Sequence, residues 1–475
     1  MTGKKKIVVI GSGVGGSGLG ALLANKGFDV TVLERNAYVG GKAAGFEKDG
    51  FIFDMGAHYN ARGERGPLGE ITRRIGGDLC FMKPDPFMRL QLLHSMDVPV
   101  DISSLKERLK LALTAGIPLY KGLPAFKLIN SMLNIRREKD AEPYDGMRLR
   151  DYINSFTQDQ SLHKMITMFC WLLLAVPYTE ASAGEFMWCF STWFNDAGCS
   201  YPKGSFREIA GSFIRSLQAY GGSISLNSPV NKIEITDGKV KGVYAKGEFI
   251  EADIVVSNAG LVNTVKLAGE SHFHPAYVKR AFALKNSWSG VTVKYALDEI
   301  LFDIPIIMVG WGKEAMDLNI LPSEVEKDIV GEHPIIFMPI PSQADPDLAP
   351  KGKQLAIACC FAPSEREKDD YCDRLVDKLD QIVKRRFPEI PKHTLWEMKT
   401  TPKNARAASG RIHGDAIGLA QTYDQCGKNR PDPRMPIKNL YLVGTDAGGR
   451  GVGVDMAGDS ALKVSAMVAM DADLF

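Results

Sequence analysis

The chain has 475 residues, of which 45% are hydrophobic and 24% charged, a balance typical of soluble globular proteins. Its formal net charge of +2 excludes a global attraction to nucleic acid. This length predicts two or more domains. Eight cysteines without a C-x-x-C spacing predict buried, reduced thiols in a cytoplasmic protein. No signal peptide is recognised before the first strand, and the longest apolar run, 166–178, is too short to cross a bilayer.

A glycine-rich turn follows the first predicted strand. Residues 7–20 read IVVIGSGVGGSGLG, which predicts a strand, a tight turn and a helix whose positive end faces a pyrophosphate. A second strand, 29–34, ends in an acidic residue that can accept both ribose hydroxyls and would repel a 2′-phosphate. NAD and FAD both fit this unit. The nucleotide-binding residues predicted here are Gly11, Gly13, Val14, Gly15, Gly16, Glu34 and Arg35.

The next stretch distinguishes the two cofactors. Residues 39–58 read VGGKAAGFEKDGFIFDMGAH, a basic glycine turn followed by a hairpin rather than a crossover helix. This resembles the signature of the large flavoprotein superfamily that includes amine oxidases, phytoene desaturases and Rab GDP-dissociation inhibitors. The resemblance implies a bound FAD, with the basic residue near the pyrophosphate and the second turn near the flavin ring. The residues concerned are Gly41, Lys42, Gly56, Ala57 and His58.

Two remote segments complete the implied FAD site. The stretch 438–470 contains a strand at 440–443, a glycine-rich loop and a final helix, and 197–260 contains a helix and strands. In the superfamily the middle segment contacts adenine, and the late segment contacts the ribityl chain and the flavin ring. Asp455 is expected to cap the final helix, although a carboxylate there would oppose a negatively charged reduced flavin unless it points away. The implied residues are Val230, Gly444, Asp446, Val454, Asp455 and Met456.

Two further stretches indicate a branch of the superfamily. Residues 333–363 and 414–444, the latter with R-P-x-P-R-x-P-I-x-N-L-Y-L-V-G, resemble phytoene desaturases and carotenoid isomerases. The resemblance implies hydride transfer between flavin N5 and carbon during desaturation, saturation or isomerisation of an apolar polyene or isoprenoid lipid. It also implies an α/β fold in which a Rossmann-like, glutathione-reductase-type FAD-binding domain (1–75, 197–270 and 405–475) interleaves with an α+β substrate domain (76–196 and 271–404).

Two rival interpretations remain open. A flavin amine oxidase often uses a lysine near flavin N5, and Lys294 in SGVTVKYAL is a candidate, although we expect it to face solvent. A non-enzymatic prenyl-binding protein resembling the Rab inhibitors would have lost the nucleotide pocket, which the intact glycine turn and acidic residues argue against.

Candidates for acid–base chemistry are His58, His413 and Arg450, and no histidine spacing typical of a metal site occurs. The basic amphipathic segment 103–137 is either a membrane-surface patch or a set of helices with a solvated basic face. Three tryptophans, Trp171, Trp188 and Trp193, are expected to pack in a core.

Overall fold

The computed structural model describes residues 4–56, 58–91, 95–101, 104, 106–107, 110, 122–196, 198–310 and 335–473. The strands are β1 Lys6–Ile10, β2 Asp29–Leu33, β3 Gly45–Lys48, β4 Phe51–Asp54, β5 Phe81–Met82, β6 Met88–Gln91, β7 Ser95–Val98, β8 Tyr201–Pro202, β9 Ser223–Ser225, β10 Val230–Thr236, β11 Lys239–Ala245, β12 Glu248–Glu251, β13 Ile254–Ser257, β14 Ser289–Leu297, β15 Ile306–Val309, β16 Ile336–Pro339, β17 Gln354–Ala362, β18 Thr394–Thr400 and β19 Leu440–Leu442.

The helices are α1 Val14–Asn25, α2 Pro67–Ile75, α3 Gly122–Leu133, α4 Glu138–Ala141, α5 Leu149–Asn154, α6 Gln160–Leu174, α7 Ala183–Asp196, α8 Arg207–Ala219, α9 Leu261–Ala268, α10 Pro275–Ala283, α11 Pro341–Ala344, α12 Asp369–Arg386, α13 Ile390–His393, α14 Pro402–Ser409 and α15 Gly453–Asp473.

A parallel sheet is assembled from segments that are far apart in the chain. Its order is β19-β13-β1-β2-β9, and every neighbouring pair is parallel. Helices α1, α2, α8 and α15 share one hydrophobic core with this sheet, while β10–β12 and α9 share another with it. Both faces are therefore covered, which explains why β1 is a continuous apolar run rather than an alternating one. The expected mixed α/β fold with a parallel sheet is confirmed.

A second, mixed sheet has the order β18-β14-β17-β16-β15-β6-β7. Helix α12 packs against one face of it, and β4 of the β3–β4 hairpin packs against the other. Strand β14 is consequently buried on both faces, and Lys294 is 0% exposed. The expectation that Lys294 faces solvent is wrong. The alternation of apolar and polar residues along β14 shows which side chains share a face of the sheet, but it does not show whether either face is exposed to solvent.

Helices α3–α7 form a largely apolar layer beside the second sheet. Trp188 and Trp193 are buried there, as expected, and Trp171 is also buried but borders the cavity described below. Among the described helices, none is both long and apolar enough to cross a bilayer. The middle of the basic segment, 111–121, lies outside the described residues. All eight cysteines are unpaired, and Cys80 is exposed, contrary to the expectation of burial.

Candidate functional site

A cavity of about 860 Å³ lies where the two sheets and the helical layer meet. It follows the carboxyl ends of β1, β2 and β19, the edge at which open parallel α/β sheets bind ligands. Residues of β14, β17, β18 and α6 form its far side. The cavity therefore reaches from a nucleotide-type turn to the second sheet.

The glycine turn closes the near end of the cavity. Gly11 has a φ of +93°, and its N–H donates to the carbonyl oxygen of Leu33 at 2.8 Å. A Cβ on Gly16 would lie 2.0 Å from the carbonyl oxygen of Gly11, so only glycine lets α1 approach the strand this closely. Gly11, Gly13, Val14 and Gly15 line the cavity, whereas Gly16 packs behind them. The N-terminus of α1 thus presents backbone N–H groups to the cavity.

Glu34 is held rigidly at the same end. Its Oε2 accepts hydrogen bonds from the N–H and the hydroxyl of Ser12 at 2.8 and 2.7 Å, and its Oε1 accepts one from the N–H of Asn36 at 2.9 Å. The carboxylate lines the cavity and retains acceptor capacity for hydroxyl groups. Arg35 and Val230 also line this end.

Two partly buried cations and two buried carboxylates form a network along the cavity. Lys42 Nζ lies 2.5 Å from Asp415 Oδ2, and Arg411 Nε lies 3.0 Å from Asp415 Oδ1. The guanidinium of Arg411 also donates to both carboxylate oxygens of Asp446 at 2.9 and 3.1 Å. Burial by itself would raise the pKa of Asp415, but Arg411 and Lys42 outweigh it and hold that pKa at about 2. Asp446 further accepts from the N–H of Leu261 at 2.9 Å.

Polar groups meet at the far end of the cavity. Lys294 Nζ donates to the hydroxyl oxygens of Thr292 at 3.0 Å and of Thr400 at 3.4 Å. Burial lowers the pKa of Lys294 to about 8. Neither ring nitrogen of His58 has a hydrogen-bond partner among the described residues, and burial lowers the pKa of this ring. His58 Nδ1 lies 4.0 Å from Oδ2 of Asp54.

The remaining wall is apolar and aromatic. Side chains from α6, β16, β17 and the segment before β19 supply it: Trp171, Leu172, Phe337, Phe361 and Ile417. Trp171 and Phe361 lie with ring centroids 5.1 Å apart. This surface suits a long apolar molecule.

Several expected site residues do not line the cavity. Arg450 instead pairs with Asp145, and its Nε lies 3.9 Å from Glu185 Oε1. Arg450 lies against the helical layer because the buried carboxylates of Asp145 and Glu185 are there to pair with it. His413 is also absent from the cavity wall. Neither Arg450 nor His413 contacts the cavity, so the structure gives no support for a catalytic role of either residue.

The start of the last helix also differs from expectation. Helix α15 begins at Gly453, so Asp455 lies in its first turn and is not its N-cap. The Asp455 carboxylate is 1% exposed and accepts from the side chain of Asn60 at 3.4 Å, away from the cavity, while burial raises its pKa to about 6. Val454 lines the cavity, but Met456 packs against Ile417 outside it.

The other sequence-predicted residues reach the wall, apart from one outside the described part of the chain. Those that line the cavity are Gly41, Lys42, Gly56, His58, Gly444 and Asp446. Ala57 lies outside the described residues. Sequence reasoning did not assign Asp415 or Asn258 a role. No sequence motif marks Asp415. Asn258 directly follows β13, whose carboxyl end lies at the same sheet edge as the glycine turn, so its position in the sequence could have indicated a role in the site.

The residues present fit a flavin adenine dinucleotide. A Cβ on Gly13 would lie 2.8 Å from the side chain of Asn258, and one on Gly15 would lie 2.9 Å from Gly444, so the cradle is closed from behind and open toward the cavity. Helix N–H groups, the Glu34 carboxylate and Lys42 face the same space. These are the donors and acceptors that a diphosphate and a ribose require.

The fold and the cavity therefore define a flavoprotein in which the dinucleotide site opens into a second, largely apolar chamber. The chain belongs to the family described as flavin containing amine oxidoreductase, whose model matches residues 20–469. FAD is accordingly its cofactor.

Characterised relatives align over most of the chain. An all-trans-retinol 13,14-reductase from Danio rerio is 26% identical over 92% of this chain and 82% of its own length. A zeta-carotene-forming phytoene desaturase from Myxococcus xanthus is 25% identical over 93% of this chain and 89% of its own.

Solved structures show the same fold. An oxidoreductase from Methanosarcina mazei superposes with a TM-score of 0.73 at 23% identity, covering 97% of this chain and 99% of that one. A putrescine oxidase bound to putrescine gives a TM-score of 0.67 at 12% identity, covering 98% and 99%. At these identities the likeness concerns the fold alone.

Proposed function

We propose that the protein is an FAD-dependent oxidoreductase that acts on a C–C bond of an apolar polyene or isoprenoid lipid, by desaturation, saturation or isomerisation. The observation that carries this proposal is one cavity that joins the dinucleotide cradle to an aromatic wall of Trp171, Phe337 and Phe361. The relatives named for carotenoid and retinol substrates support it.

Bound FAD supplies a hydride acceptor or donor at its N5 atom. The chain's own residues bind and orient the reactants. N–H groups at the start of α1 hold the diphosphate, Glu34 holds the ribose, and the start of α15 directs N–H groups toward the cavity. The aromatic wall would align the lipid chain and shield the reacting carbons from water.

The proposal includes the domain arrangement. The glutathione-reductase-type FAD-binding domain comprises 1–75, 197–270 and 405–475, and the substrate domain comprises 76–196 and 271–404. The parallel sheet and the mixed sheet support this division, because they draw their strands from those two sets of segments. We also propose that the protein works in the cytoplasm and docks on a membrane surface to collect its lipid.

A second candidate function is amine oxidation. The observation that favours it is the burial of Lys294 inside the cavity, where a lysine near the flavin of an amine oxidase would lie. The third interpretation, a prenyl-binding protein without a nucleotide, is opposed by the intact cradle. It would require a colourless purified protein that FAD cannot reconstitute.

Lipid extraction with mass analysis of the purified protein, together with its absorption spectrum, tests the proposal. We expect a flavin spectrum and a co-purified polyene or isoprenoid lipid. A bound amine with no lipid would contradict the proposal and support the second candidate.

A further inference from the structure

A buried carboxylate outside the cavity connects the helical layer with the last helix. Glu185 of α7 is 0% exposed, and its Oε1 lies 3.4 Å from Nη2 of Arg430 and 3.9 Å from Nε of Arg450. We name these three residues the Glu185 clamp. All three lie outside the wall of the cavity, so a ligand in the cavity does not explain why they are there.

Both arginines of the clamp hold the start of α15. Arg430 Nη1 donates to the sulfur of Met456 in the first turn of that helix, at 3.2 Å. Arg450 precedes the helix, and its backbone N–H donates to Oδ2 of Asp459 in the second turn, at 2.8 Å. Glu185 therefore joins the first two turns of α15 to α7 through two guanidinium groups.

The loop before α15 has little preference for one conformation of its own. Residues 448–453 read GGRGVG, and Gly448, Gly451 and Gly453 have φ values of +77°, +129° and +46°. Glycine loses more conformational freedom on folding than any other residue, so a contact elsewhere must hold such a segment. Arg450 is the only charged side chain among these six residues and supplies that contact.

The start of α15 is the part of the helix that meets the cavity. Val452, Gly453 and Val454 line the cavity, whereas Met456 packs behind them. The first N–H groups of a helix have no acceptor within the helix, and they stabilise a negative charge placed near them. Because this effect falls off within the first turn, it depends closely on where the helix begins.

Stability alone does not explain a carboxylate and two arginines at this place. Glu185 Oε2 and Arg450 Nη1 are buried and have no hydrogen-bond partner among the described residues. Buried ion pairs with incomplete hydrogen bonding often contribute no more stability than well-packed apolar side chains. What such a pair adds is a fixed direction, because the planar guanidinium group meets a carboxylate in only a few orientations.

We propose that Glu185 is a positioning residue for the flavin. Through Arg430 and Arg450 it holds the N-terminus of α15 where its N–H groups stabilise the negative charge of reduced FAD, and it thereby raises the reduction potential of the cofactor. This inference concerns the cofactor and goes beyond the proposed function, because it holds for any substrate.

The midpoint potential of bound FAD tests the inference, measured by anaerobic titration of the FAD-loaded protein against a reference dye. Glu185→Gln combined with Arg430→Met removes the clamp without changing the net charge. We expect reduced FAD to bind about tenfold more weakly relative to oxidised FAD, which lowers the two-electron potential by about 30 mV. Hydrogen exchange of the backbone amides of 452–457 should become faster in the same variant.

An ion pair at the other end of the same helix provides the matched control. Asp471 Oδ2 lies 2.8 Å from Nε of Arg434. Asp471→Asn combined with Arg434→Met also leaves the net charge unchanged, and it should leave the potential and the exchange at 452–457 as in the wild type. An unchanged potential in the clamp variant, or an equal fall in both double variants, would overturn the inference.

Glu185→Gln alone decides the question if the double variant retains no FAD. This change preserves the shape of the side chain and removes one negative charge, which by itself would raise the potential. We expect the potential to fall, because the start of α15 is no longer held. A raised or unchanged potential would then contradict the positioning role. Failure of the proposed function has a different signature: the potential responds to the clamp as expected, but chromatography shows no polyene transformed.

Discussion

Lys42 Nζ and Asp415 Oδ2 lie 2.5 Å apart in the wall of the cavity, and Arg411 occupies the other oxygen of the same carboxylate. Asp415→Asn leaves two partly buried cations short of a counter-charge, so we expect the free energy of unfolding at pH 7 to fall by about 2 kcal/mol. Chemical denaturation measures the change. Asp370→Asn, which removes an exposed carboxylate, is the control and should change stability by no more than about 0.5 kcal/mol.

The same carboxylate has a pH signature. Because the folded-state pKa of Asp415 is held at about 2, below the ordinary value of roughly 3.9, its contribution is present above about pH 4 and is lost as the pH falls toward 2. Asp415→Asn should flatten that part of the stability profile. If the stability of Asp415→Asn falls between about pH 4 and about pH 2 as steeply as that of the wild type, the ion pairs of Asp415 contribute nothing to the free energy of unfolding.

Gly16→Ala should disrupt the dinucleotide cradle. The added Cβ would lie 2.0 Å from the carbonyl oxygen of Gly11, so α1 must move away from β1. We expect a loss of at least about 2 kcal/mol in stability and a lower FAD content per chain. Absorbance of the bound flavin measures the latter. A Cβ on Gly20 of the same helix would meet no atom closer than a Val32 methyl group at 3.2 Å, so Gly20→Ala should retain FAD. Equal FAD retention by both variants would contradict the geometry.

Asp455→Asn should stabilise the protein at alkaline pH. Burial raises the pKa of Asp455 to about 6, so between about pH 4 and 6 the folded state binds a proton that the unfolded state has released. Stability therefore falls as the pH rises across this window, and the asparagine removes the loss. Denaturation at pH 8 should show a gain on the order of 2 kcal/mol. Parallel pH profiles for variant and wild type would contradict this account.

Arg450 should act through packing rather than chemistry. Its guanidinium pairs with Asp145 near Glu185, away from the cavity. We expect Arg450→Met to lower the free energy of unfolding by about 3 kcal/mol, and the added change Asp145→Asn to recover part of it. A double-mutant cycle by denaturation measures this coupling. A variant of normal stability that turns over no substrate would instead support a catalytic arginine.

The sequence was sufficient for features whose cause is local. The glycine turn and Glu34 follow directly from adjacent strands, and the hairpin expected after the basic glycine turn is formed by β3 and β4. Helix α15 begins at Gly453, three residues before the start that an N-cap at Asp455 implies, so the expected cap is a carboxylate in the first turn.

Features set by distant segments could not be predicted. Lys294 is buried because Phe51 and Phe53, more than 200 positions earlier in the chain, cover the sheet face from which it projects. Arg411 meets Asp446 only because two loops converge on the same sheet edge. No spacing in the sequence encodes either contact.

Chromatography with mass analysis of a polyene after anaerobic incubation with the protein tests the central claim most directly, using oxidised FAD in one sample and reduced FAD in the other. We predict a product that has lost two hydrogens, gained two hydrogens or kept its mass with a changed retention time, in at least one sample. An unchanged polyene in both samples, with a polyamine reducing the flavin in a parallel reaction, would contradict the account.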